Sequence, residues 1–173
     1  MKRTTLLLYA ILSSTLFYGQ DEVFEYARVG NTNAIETLYN ANSKIIDTTN
    51  QKGFSLLMLA IYNNHEKTAL FLLEQNANVD MQDSSGNTAL MGASFKGYLD
   101  IVKLLIAHKA KVNIKNYNDA TALTFAATFG HTSIVKELIE NGADVNIKDN
   151  RGNTAFDHAK MQGNEEILKV LAQ

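Results

Sequence analysis

The 173-residue chain contains no cysteine and no proline. Without cysteine there can be no disulfide framework, no thiolate nucleophile, no cysteine-based metal site and no lipid-modified cysteine to tether the chain. Without proline, no helix start has its φ pre-set by a ring. Basic charge is also in short supply. The sequence holds 16 basic and 18 acidic side chains, a net of −2; Lys2 and Arg3 fall in the first 20 residues, which contain no acid, so the remainder carries 14 against 18, or −4. A mildly acidic body lacks the basic stripe that displaces counterions from phosphates, so no nucleic-acid partner is expected. Catalytic motifs are missing as well: there is no H-E-x-x-H or H-x-H, no G-x-S-x-G, and no glycine-rich phosphate loop. No cofactor, metal site or catalytic residue is therefore expected. The apolar fraction of 46% is that of a folded protein, and the length suits one domain.

Two features are present. The first occupies residues 1–20. A basic head, Met1-Lys-Arg3, precedes an apolar run from Leu6 to Tyr18 that ends at Gly19-Gln20. Its 13 residues fall short of the roughly 20 needed to span a bilayer. This is the pattern of a cleavable secretory signal peptide, with the cut expected after Gly19 or Gln20. It predicts a periplasmic or secreted protein with no stable membrane span once the signal is removed.

The second feature is a repeat with a period of 33 residues. Thr88, Leu90, Ala93 and Gly97 are answered by Thr121, Leu123, Ala126 and Gly130, and Ala110-Lys-Val-Asn113 by Ala143-Asp-Val-Asn146. A fixed period of this size marks stacked units, none of which can bury its apolar face alone. The units run 50–82, 83–115, 116–148 and a shortened 149–173, with a degenerate first unit at 21–49. Gly30, Ile35 and Leu38 precede Gly130, Val135 and Leu138 by 100 residues, three periods plus one, so one extra residue lies between Tyr39 and Asp47.

The pattern D-x-x-G-x-T-A-L-x-x-A-x-x-x-G-x-x-x-I-V-x-x-L-I-x-x-x-A-x-V-N resembles the ankyrin repeat, across nearly all of the chain after residue 20. The family's T-P-L-H reads here as Thr88-Ala-Leu-Met, Thr121-Ala-Leu-Thr and Thr154-Ala-Phe-Asp. The resemblance implies an all-α solenoid of about five units including two caps. Each unit would be a helix, a tight turn, a second helix and a projecting hairpin.

Within that frame Thr88 is a helix N-cap, Gly97 ends the first helix of its unit, and Asp100 opens the second, whose Ile101, Val102, Leu104, Leu105 and Ile106 are expected to be buried. Asn64 stands in a glycine position and Asp119 replaces a hairpin glycine. Asp83 and Asp149 are expected to bond their own turn backbone. By the resemblance, His65 and His131 are structural, and Asp47, Asp80, Asn113 and Asn146 brace loops. His108 and His158 show no ligand spacing to each other or to acids.

The resemblance further implies a noncatalytic protein-protein interaction module that binds along a concave face of first helices and hairpin tips. Carried onto this chain, that face holds Phe54, Tyr62, Phe95, Tyr117 and Phe129, an expected aromatic floor, with Lys52, Lys96 and Arg151 as its polar rim. The partner is expected to be another exported or envelope protein, bound by a monomer. An immunity or inhibitor protein, and an accessory factor for an envelope enzyme, are narrower forms of the same reading.

Overall fold

In the computed structural model, which describes residues 22–172, the chain is a row of helix pairs. Residues 1–20, read above as a signal peptide, lie outside the described residues. The pairs are α1 (22–29) with α2 (Thr32–Ala41), α3 (Leu56–Tyr62) with α4 (Glu66–Glu74), α5 (Ala89–Lys96) with α6 (Leu99–Ala107), α7 (Ala122–Thr128) with α8 (Thr132–Glu140), and α9 (Ala155–Met161) with α10 (Glu165–Leu171). Among the described residues there is no strand, only an isolated bridge between Thr49 and Ser55. The extra residue of the first unit falls where a short 3-10 helix, Ser43–Asp47, replaces the usual loop.

Local chemistry starts four of the first helices, α3, α5, α7 and α9, at the same place. Ser55, Thr88, Thr121 and Thr154 accept hydrogen bonds from the backbone N–H groups of Met58, Met91, Thr124 and Asp157, which have no partner inside the helix. Helix α5 stops at Gly97, whose φ of +79° would strain any residue with a Cβ. Asn64 takes the equivalent conformation at φ +60°, and Asp119 holds the hairpin position at φ +59° with its carboxylate 2.7 Å from Lys115 Nζ. Helix α6 begins at Leu99 rather than Asp100. Of the five apolar residues expected to be buried, only Ile101, Val102 and Leu105 are; Leu104 and Ile106 are half-covered, because the outer layer faces neighbours on one side and solvent on the other.

Short seven- to nine-residue helices are marginal alone, so stacking supplies the stability. First helices pack in sequence, α3 on α5, α5 on α7 and α7 on α9, while α6, α8 and α10 follow one another in the outer layer. The core between the layers is aliphatic and small: Leu57, Leu90 and Leu123 recur with Ala60, Ala93 and Ala126, all at most 1% exposed. Alanine at the helix crossings permits the close approach.

Hydrogen bonds reach from unit to unit at three levels. Asp47, Asp80 and Asn113 accept from the backbone N–H of Asn78, Lys111 and Asp144, each 31 residues ahead, at 2.7–3.0 Å. The ring Nε2–H groups of His65 and His131 donate to the carbonyls of Arg28 and Phe95 at 3.0 and 3.1 Å, capping helix ends of the preceding unit. The hairpins join through Ser84 N–H to Lys52 C=O, Tyr117 N–H to Ser85 C=O and Asn150 N–H to Asn118 C=O.

Candidate functional site

The first helices and the hairpins meet at an angle, and the side chains singled out from the sequence lie along it. Asp83 and Asp149 build the hairpins. Each accepts two backbone N–H bonds through Oδ1, from Ser85 and Asn87 in one case and Arg151 and Asn153 in the other. Asn116 does the same between them, accepting from Asn118 and Ala120, and its amide donates to Asn87 Oδ1 at 2.8 Å. These turns fix the outward direction of Ser85, Tyr117 and Arg151.

The aromatic residues form two groups rather than one continuous floor. Phe54 and Tyr62 meet edge-to-face at 5.6 Å between centroids, and both are half-buried. Tyr62 also lies over α5 where Gly92 has no side chain: a Cβ there would sit 2.8 Å from Tyr62 Cζ. Burial, helped by the Asp83 carboxylate, raises the pKa of the Tyr62 hydroxyl above its ordinary value. Phe54 and Tyr62 therefore contribute to packing as well as to surface. The second group is Phe95, Phe125 and Phe129. Phe95 meets Phe129 at 4.5 Å and Phe125 at 6.4 Å, both edge-to-face, yet Phe95 and Phe129 remain 38% and 48% exposed. Lys96 Nζ stands 5.8 Å from the Phe95 centroid. Tyr117, 72% exposed, covers Gly86 of the preceding hairpin and joins neither group.

Beside the second group lies a hollow of about 290 Å³, walled by Phe125, Phe129 and Thr128 on one side and by Asn118, Arg151 and His158 on the other. The sequence reading found no acid spaced to engage His158. The fold supplies one: His158 Nε2–H donates to Asp149 Oδ2 at 2.8 Å. Burial alone would raise the Asp149 pKa, but the bonds from Asn153, His158 and Arg151 outweigh it and hold the carboxyl below its ordinary range. The pair braces the last hairpin against α9. The signal for Phe125 and His158 was the repeat itself: Leu59, Gly92, Phe125 and His158 share one position at 33-residue steps, and reading down that column marks where the face changes character.

A second hollow, of about 510 Å³, opens at the other end of the row, between Phe24 of α1 and the first hairpin, Asn50 to Phe54. Among the described residues no group of three or more His, Asp or Glu side chains could hold a metal ion, and no helix is long and apolar enough to cross a membrane.

A family profile described as ankyrin repeats in three copies matches residues 23–116 and again 108–173. The chain belongs to the ankyrin-repeat family. The helix pairs, the His-capped turns and the 33-residue register are those of an ankyrin stack. Ankyrin repeats generally serve as protein-protein interaction modules and are typically noncatalytic. A search among curated proteins finds no match to the chain.

Proposed function

We propose that this ankyrin stack is an exported, noncatalytic interaction module whose partner protein docks on the face formed by the hairpins and first helices of residues 83–161. One observation carries the reading: Phe95 and Phe129 pack against each other and still leave 38% and 48% of their surface open beside a hollow of about 290 Å³. Exposed rings rimmed by polar groups are what an interface core looks like before its partner arrives. The rim here is Lys96, Asn118 and Arg151. Tyr117 reaches out from the hairpin tip above it and adds contact area.

What supports export is the basic head and 13-residue apolar run within residues 1–20, and on this reading the partner is a protein of the periplasm, the envelope or the medium.

The test is affinity capture from an envelope extract, with the parent chain beside Phe95→Ala/Phe129→Ala. Tyr62 is left alone because its loss would uncover α5. Each ring, if central, is worth about 2 kcal/mol, so the double variant should lose the captured protein while keeping its circular dichroism. Equal capture by a folded double variant would place the site elsewhere.

A further inference from the structure

Charge on this molecule is sorted by face. Carboxylates concentrate on the second helices, with Glu66 and Glu74 on α4, Glu137 and Glu140 on α8, and Glu165 and Glu166 on α10. The three central first helices, α3, α5 and α7, carry none. The acids that do approach the inner face are already engaged. Asp83 is 6% exposed and accepts from Ser85, Asn87 and the Asn87 amide; Asp149 accepts from Arg151, Asn153 and His158; Asp119 pairs with Lys115. Asp157 is tied to the Thr154 N–H and hydroxyl in a capping box.

The cations of that face are not engaged in this way. Lys52, Lys96 and Arg151 are exposed, and among the described residues none forms an ion pair. Two lysines of the outer layer do, Lys103 with Glu137 and Lys136 with Glu166 at 3.9 and 3.7 Å, although Lys67 and Lys169 of that layer form no ion pair among the described residues. Although the protein's net charge is −2, its inner face thus holds three cations without an ion pair around an exposed aromatic pair, while its carboxylates keep their charge but are tied into hydrogen bonds or a pair.

We infer that the segment docked on this face is acidic, with an aromatic or aliphatic side chain that enters the hollow between Phe129 and His158 and carboxylates that reach Lys96 and Arg151. The inference rests on the interaction reading above and adds the chemistry of the partner. Like charge brought against these cations would cost free energy, whereas carboxylates would supply an ion pair that no described side chain supplies.

The test is selection from a random 12-residue peptide library on the full immobilised chain, repeated on Lys96→Glu/Arg151→Glu and on Phe95→Ala/Phe129→Ala, all checked for equal helicity. The expected result is enrichment of peptides rich in Asp and Glu with at least one Phe, Trp, Tyr or Leu. Their affinity should fall at least tenfold on the charge-reversed variant, and severalfold between 50 and 200 mM NaCl, as exposed charges are screened over about 10 Å. Neutral or basic peptides selected instead, and lost on the phenylalanine variant, would overturn the acidic inference and leave the docking face standing. Acidic peptides indifferent to the phenylalanines would remove the face itself. No enrichment on the parent, or displacement of the selected peptides by a 20-nucleotide single strand at equal concentration, would also overturn the inference.

Discussion

Asp149 shows how much one residue of this repeat does. Its Oδ1 shapes the last hairpin through two backbone bonds, and its Oδ2 holds His158 against the edge of the hollow. Because its pKa is lower in the folded chain than in the unfolded one, its contribution to stability is complete above the ordinary carboxylate range near 4. That contribution is lost as pH falls through the lowered folded value. Asn116 occupies the same turn position one unit earlier, so Asp149→Asn should keep the turn and lose only the charge-assisted bond to His158. Thermal melting of parent and variant should therefore differ above the ordinary carboxylate range, and the gap should start to close near pH 4 and vanish as pH falls through the lowered folded value. A gap that persisted at low pH would mean that the turn itself had failed.

At the scale of the helices, each pair is fixed by its neighbours more than by its own propensity. His131 illustrates the coupling, since it belongs to the turn before α8 and caps the last turn of α5 through Phe95 C=O. Its ring also lies against Gly97, where a Cβ would come within 2.6 Å of His131 Cε1. His131→Ala should cost about 1–2 kcal/mol in urea unfolding, by leaving a helix-end carbonyl unpaired and a gap between units. A variant as stable as the parent would contradict the account of the stack. This level was the most legible in the sequence, because the 33-residue period carries caps, turns and core together. Thr88 as a cap, Gly97 and Asn64 as left-handed residues, and Asp80 and Asn113 as loop braces all follow from position in the repeat. Less legible was how deeply α6 is buried. A run of apolar residues does not say that Leu104 and Ile106 lie on the outer edge of the layer, since both sides of an outer helix cannot be covered.

For the molecule as a whole, the site was harder to read than the fold. The repeat pattern told where variable side chains face, and it placed Phe95, Lys96, Tyr117, Phe129 and Arg151 along the hairpins and first helices. It did not tell how those side chains pack across units. Tyr62 turns inward over Gly92, Phe125 joins the exposed rings, and His158 finds Asp149, each through contacts that depend on the shape of the adjacent unit. The unpaired cations were hidden for a similar reason: net charge counts every side chain alike, while the fold ties the inner carboxylates into hydrogen bonds and leaves Lys52, Lys96 and Arg151 without an ion pair among the described residues. The most direct test of the central claim is amide hydrogen exchange on the full chain, free and with the protein captured from the envelope extract. The account predicts added protection at the hairpin tips 84–87, 117–120 and 150–153 and at the ends of α5 and α7, with little change in α6, α8 and α10. Protection centred on the second helices, with the hairpin tips exchanging as in the free chain, would contradict it.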